Sequence, residues 1–399
     1  MPRPHANGRG GEELHATLPM RAGESGFGAV SANEAHVSPE PAFFENPKRI
    51  VQTLVIALLA VVGIYFLFPQ IVGVGDDPGA KRLGEGSKLW IGVALACGGL
   101  MFLSYVALFK GVIGRAIRLR WRESYEITMA GLAATRLFSA GGAGGIVLTY
   151  WALRKAGMEQ KEAASRMVAF NVLLYAVYMV TLVVNGILLR EGVFSGPAPA
   201  GMTIVPAAFA GGVIILFLLF TFVPGDLEKR FSTASQEHFW GRMMRRLATV
   251  PSTFAVGTRE AIRFVREPSR GGMALVGAIG FWAAQIAILA AAFKAFDVNV
   301  SLAVIVQGFF VGMFANLLPL PGGVGGVDAG MIGAFVLFGF PDNSVFAAVL
   351  VYRLIAFWLP LLPGIIAFVM LRRTVTRWEQ TRTSPPVSSE IWDSLPGSR

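Results

Sequence analysis

Charge and cysteine are both scarce in this chain. Only 15% of its 399 residues are charged, and Cys97 is its single cysteine. Soluble domains carry about 25% charged residues, so the composition does not suit a water-soluble fold, and one cysteine cannot make a disulfide framework. Histidine is nearly as rare. His5, His15, His36 and His238 all lie outside the apolar stretches, which leaves no histidine cluster there for a metal or for general-base work. The chain has no Gly-x-x-x-x-Gly-Lys-Ser/Thr sequence, and hence no ATP-binding loop of that kind. Its serines and its cysteine have no visible base. These absences argue against an enzyme, and neither a cofactor nor a metal is expected.

What fills the chain instead is apolar. Such residues make up 54% of it, mean hydropathy is +0.57, and Phe (30) and Gly (47) are abundant. That is the composition of helices that face lipid and pack closely on one another. The net charge of +10 suggests nucleic acid at first sight. The basic residues, however, sit between apolar runs, where membrane topology and anionic headgroups account for them.

Runs long enough to cross about 30 Å of hydrocarbon occur at roughly 50–68, 89–109, 167–189, 202–223, 273–293 and 354–370. The last is expected to begin near Ser344 and to carry Arg353 inside the bilayer. Residues 1–47 read as a disordered tail with no signal-peptide apolar run, and 378–399 as a polar tail. The membrane domain is then 48–377. With the N-terminus in the cytoplasm, 110–124 places five basic residues inside, 154–166 four, 223–272 nine and 372–377 three, against five outside altogether. This is the positive-inside pattern. In the basic loop 223–272, Trp240, Met243, Met244, Leu247 and Val250 recur at helical spacing opposite Arg242, Arg245 and Arg246, as in an amphipathic helix.

Two glycine knots interrupt the pattern. Gly141-Gly142-Ala143-Gly144-Gly145 and Gly322-Gly323-Val324-Gly325-Gly326 lie 181 residues apart, each after an apolar segment ending in Phe-Lys (Phe109-Lys110, Phe293-Lys294). Gly and Pro interrupt helices, so the regions 126–153 and 299–340 read as re-entrant hairpins. Loop charge makes the first open from the cytoplasm and the second from outside. The expected fold is therefore an all-α polytopic membrane protein with inverted repeats, at about 89–190 and 272–371. Repeated broken helices in corresponding positions point to a transporter's binding site.

Charges within spans mark the candidate residues, because such groups are costly in a bilayer. Arg136 and Arg353 could grip a phosphate. Gly141, Gly142, Gly144, Gly145, Gly322, Gly323, Gly325 and Gly326 could turn backbone N–H groups toward the same anion. Asp328 could meet a cationic headgroup. The structural alternatives are an Arg353–Asp328 ion pair, an Arg136 that snorkels to the interface, and knots that serve only close packing. Asn171, Gln285, Gln307 and Asn316 could line a polar route or bond helix to helix.

The run from Pro319 to Gly330, followed by Tyr352-Arg353-Leu354 and Phe357-Trp358-Leu359-Pro360, resembles the lysylphosphatidylglycerol synthase transmembrane region, the flippase-like half of the multiple peptide resistance factors. Arg136-Leu137-Phe138 is similar to an earlier element of that family. The family commonly has Glu where Asp328 stands. The resemblance covers about 50–375 and implies translocation of a phospholipid or lipid-linked anion, without the synthase's lysyl transfer. A membrane phospholipid is then the expected partner, in a multi-pass protein of the inner or plasma membrane. A transporter of a small soluble anion, or a scaffold for a lipid-modifying or glycan-assembly enzyme, remains as an alternative; nucleic acid is not an expected partner.

Overall fold

The computed structural model describes residues 86–114, 116–137, 143–222, 239–317, 325–340 and 342–383. The expected N-terminal tail, the expected span 50–68, and Gly141, Gly142, Gly322 and Gly323 lie outside the described residues. Those that are described form helices and connecting turns, with no strand among them. In order they are α1 (Lys88–Ile113), α2 (Trp121–Leu137), α3 (Ala143–Lys155), α4 (Gln160–Arg190), α5 (Ala200–Phe220), α6 (Phe239–Arg266) and α7 (Pro268–Ala295). There follow α8 (Leu302–Met313) with a 3₁₀ turn (Phe314–Leu317), α9 (Gly326–Leu337), α10 (Asp342–Arg353), a π-turn (Leu354–Trp358) and α11 (Leu361–Thr383).

Among the described residues, five helical stretches are long and apolar enough to cross a membrane: α1, α4, α5, α7 and the continuous run from α10 into α11. They match five of the six expected spans, and they begin or end a few residues beyond the apolar runs because polar residues finish their last turns. The final helix continues to Thr383, past Trp378 where a polar tail was expected. Many large apolar side chains on these helices are exposed, among them Leu103, Ile187, Ile215, Val276 and Ile366. Surface of that kind belongs against lipid, where exposure to acyl chains carries no hydrophobic penalty.

Small residues set how closely the helices approach. The most extensive contact in the bundle joins α1 to α7. The two run antiparallel: Gly111 lies on the Ala274 backbone, Gly277 on that of Leu108, and Ser87 N–H donates to the Ala295 carbonyl at 2.9 Å. Trp282, Tyr178, Phe309 and Phe310 interlock beneath this pair, with the Tyr178 hydroxyl donating to the Phe310 carbonyl at 2.6 Å.

Both regions read as hairpins do fold back on themselves. In the first, α2 and α3 cross where Gly131 meets Gly145. A Cβ on Gly145 would strike Thr135 Oγ1 and the Gly131 carbonyl. In the second, α8 and α9 cross at Gly312 and Gly330, where a Cβ on Gly312 would lie 2.7 Å from Met331 Cα.

The two hairpins open toward opposite ends of the bundle. The first runs antiparallel to α11 from that helix's C-terminal end: Thr374 Oγ1 donates to Glu126, Gly364 sits against Ala133, and Lys155 at the finish of α3 pairs with Glu379. The second starts where α4 and α7 finish. Asn185 donates to the Ala303 carbonyl at 3.0 Å, and the Phe335 ring lies 4.9 Å from that of Phe293. Lys110, Arg154, Arg166, Arg263 and Arg377 cluster at the first end, with Arg166 donating to the Val112 carbonyl and pairing with Glu260 at 3.0 Å.

The basic loop does contain a helix. It is longer than the amphipathic stretch suggested, because α6 runs to Arg266 and its second half packs on α4, with Gly257 against Val168. The side chains of Trp240 to Val250 lie outside the described residues.

Candidate functional site at the junction of the hairpins and the last span

The last span breaks at its middle. Leu359 N–H reaches back five residues to the Leu354 carbonyl, at 2.9 Å, which makes the turn a π-turn. Pro360 follows it and has no N–H, so the Ala356 carbonyl loses the donor that an α-helix would supply. A carbonyl left open in a membrane interior is costly. Arg136, in the final turn of α2, meets this need: its Nη1 donates to the Phe357 carbonyl at 2.6 Å and its Nη2 to the Ala356 carbonyl at 2.9 Å. The guanidinium fork is shaped for two neighbouring acceptors. Arg136 therefore does not snorkel; it turns inward and joins the tip of the first hairpin to the last span.

Arg353 stands just before the π-turn and is 4% exposed. Its Nε lies 2.7 Å from Asp328 Oδ1, in the first turn of α9. The other oxygen of Asp328 accepts the Gly325 N–H at 2.9 Å. Gly325 takes φ of +77°, a conformation that costs a residue with a Cβ, and starts α9 there. Asp328 thus binds the tip of the second hairpin to the same span. The two arginines share one ring: Arg353 Cζ lies 4.3 Å and Arg136 Cζ 4.9 Å from the centre of Phe357. Two guanidiniums face one carboxylate among the described residues here, so the junction holds an excess of positive charge.

Of the expected site residues, the structure brings Arg136, Arg353 and Asp328 together. Gly325 and Gly326 begin α9 beside them, and Gly145 serves the crossing of α2 and α3. Gly144 lies in the first turn of α3. Gln285 accepts from the Tyr352 hydroxyl at 2.9 Å, and Gln307 joins Asn185 to the Met202 carbonyl. Both are helix-to-helix bonds. Asn171 donates to Met167 of its own helix and Asn316 to Met313 Sδ. Sequence reasoning missed the part Phe357 plays at the centre and the cap that Arg136 forms. Pro360 within an apolar run was the available signal, since a proline there orphans the carbonyl four residues earlier.

Residues 55–364, more than three quarters of the chain, match the family model described as the lysylphosphatidylglycerol synthase TM region. The chain belongs to this family. It is also similar to a UPF0104 membrane protein of Methanothermobacter thermautotrophicus, at 25% identity over 334 residues, covering 78% of this chain and 94% of that protein. The junction, with both hairpins and the π-turn, lies within the family match. As a member of the lysylphosphatidylglycerol synthase transmembrane family, the chain is a multi-pass membrane protein.

Proposed function

We propose that this protein moves a phospholipid, or another lipid-linked anion, between the two leaflets of a cell membrane. The observation that carries the reading is the convergence of two oppositely opening hairpins on one broken span, with two arginines and Phe357 at the meeting point. A broken span supplies hinge freedom of the kind found where transporters bind their cargo. The excess positive charge suits a phosphodiester, and Asp328 holds its place on Arg353 until cargo arrives. A cationic headgroup would pair with Asp328 once it is displaced.

The antiparallel α1 and α7, each leading into a hairpin and then a span, support reading the chain as inverted repeats. Rocking one repeat against the other would expose the junction to each side in turn. The basic end fits the cytoplasmic side, and an N-terminus there, by the positive-inside rule. We assign no catalytic step to the chain.

Reconstitution tests the proposal. Vesicles carrying the protein and a fluorescent phosphatidylglycerol are treated with a membrane-impermeant quencher, and the fraction quenched reports exchange between leaflets. Wild type should raise that fraction above one half. Arg136→Ala and Arg353→Ala should return it to the protein-free value. Undiminished exchange in both variants would end the phosphate-clamp reading, and absence of exchange in wild type would favour a soluble anion or a scaffold role.

A further inference from the structure

Two neutral polar groups beside the junction are only partly used, or not used, by the fold. Gln285 lies on α7 and is 6% exposed. Its Oε1 accepts the Tyr352 hydroxyl at 2.9 Å, and Tyr352 immediately precedes Arg353. That bond fixes one end of the amide. The other end, with two N–H donors, bonds to no described residue. Tyr105, on α1, rests its ring on Phe281, one turn before Gln285, with ring centres 5.0 Å apart, and meets the ring of Phe170 edge-on at 5.4 Å. Its hydroxyl also bonds to no described residue. We propose that the Gln285 amide and the Tyr105 hydroxyl are the neutral donors of the anion site, completing with Arg136 and Arg353 the shell around a phosphate group.

The packing directs both groups to that place. α1 and α7 are antiparallel, with Gly277 on Leu108 and Gly280 on Ser104, so Tyr105 starts level with Phe281. Helical side chains lean toward the N-terminus of their own helix, which on α1 carries the Tyr105 hydroxyl toward the level of Gln285. Tyr105 interacts electrostatically with Arg136, and Tyr352 with both arginines. Neither free group is sealed in the core. Enclosed polar atoms without a partner include Ser124 Oγ, Thr258 Oγ1 and Arg372 Nη1, whereas the Gln285 and Tyr105 atoms are not enclosed. Both therefore face open space.

An amide buried this deeply with its donors unused calls for an explanation, because burying polar groups without partners is costly. A ligand rich in acceptors supplies one. Guanidinium and amide N–H groups only donate, and a phenol hydroxyl donates readily to an anion. The non-ester oxygens of a phosphodiester, or the oxygens of free phosphate, offer the several lone pairs that such a set needs. Neutral donors also add hydrogen bonds without adding a charge to be desolvated. The inference rests on the reading of the arginines as phosphate ligands, but not on whether a lipid carries the phosphate.

Calorimetric titration of the purified protein in a non-ionic detergent tests the pair, with dioctanoyl phosphatidylglycerol as one probe and inorganic phosphate as the other. Tyr105→Phe and Gln285→Met should each weaken phosphatidylglycerol binding about tenfold, the size of a lost hydrogen bond to a charged group. Tyr105→Phe breaks no bond within the protein, so its unfolding midpoint without ligand should equal that of wild type. Tyr352→Phe removes the same helix-to-helix bond as Gln285→Met but leaves the amide. It should reproduce the lower midpoint of Gln285→Met and not its loss of binding.

Binding at wild-type strength in both Tyr105→Phe and Gln285→Met would overturn the pair, while abolished binding in Arg353→Ala would leave the arginine reading standing. Equal losses of binding in Gln285→Met and Tyr352→Phe would make Gln285 a brace between helices and refute its part. Inorganic phosphate bound as tightly as phosphatidylglycerol, and weakened by the same variants, would keep the pair and remove the lipid from the proposed function. No binding of either probe by wild type would overturn the pair and the phosphate reading together.

Discussion

Replacing Arg136 tests the anchor between α2 and the last span. In Arg136→Ala the carbonyls of Ala356 and Phe357 lose their two donors at 2.9 and 2.6 Å, and Pro360 provides no substitute. An unsatisfied buried acceptor costs about 1–3 kcal/mol, and the lost stacking on Phe357 adds about 0.5–2 kcal/mol. Removing the buried cation returns part of its own desolvation cost. A net loss of about 2–4 kcal/mol follows, near the sum of one carbonyl and the ring contact. Arg136→Lys keeps the charge but presents an ammonium in place of a planar fork, so it should recover about half of that loss. Thermal unfolding of the purified protein in one detergent, followed by tryptophan fluorescence, gives the ranking wild type, Arg136→Lys, Arg136→Ala. Identical midpoints for all three would show that the π-turn does not depend on this cap, and the account of the junction would fail.

Four further outcomes are expected. Asp328→Asn leaves buried Arg353 without its carboxylate and should destabilise by about 3 kcal/mol, the low end for breaking a buried pair because the Asp328 side chain is 21% exposed; a double-mutant cycle with Arg353→Met checks that the two losses are not additive. Gly145→Ala and Gly312→Ala should each push a hairpin's arms apart and lower the unfolding midpoint, whereas Gly333→Ala, whose added Cβ meets nothing within 4 Å, should leave it unchanged. Glu126 is fully buried, bonded to Thr374 at 2.7 Å and paired with Arg122 at 2.9 Å; Glu126→Ala should loosen α2 from α11 and speed proteolysis at the basic end. In a Cys97→Ala background, an impermeant maleimide added to intact cells should label Val193→Cys but reach Gln160→Cys only after lysis; the reverse pattern would invert the assigned orientation.

Much of this architecture is legible in the residues because a bilayer permits few solutions. Backbone groups in hydrocarbon must be satisfied within the segment, so helices α1, α4, α5 and α7 stand in the expected order where apolar runs were read. The hairpins were readable for a related reason: glycine and proline disfavour a continuous helix, and α2 with α3, like α8 with α9, does fold back. Boundaries were less legible, as with α6, which extends well past the amphipathic stretch because its second half is held by packing on α4.

At the site, sequence alone marked Arg136, Arg353 and Asp328, since a charge inside an apolar run is costly enough to demand a reason. It also left the Arg353–Asp328 pair as one of two readings, and the structure contains that pair. What sequence could not determine is partnership across 220 residues. Whether Arg136 reaches the interface, an anion or another helix depends on where a π-turn places two carbonyls, and that follows from how α2 lies along α11 at Ala133 and Gly364. Local chemistry therefore determined that these residues matter and that the chain crosses a membrane. Tertiary packing alone decided which groups they satisfy, because the energy of a buried charge depends on neighbours that only the folded bundle brings within 3 Å.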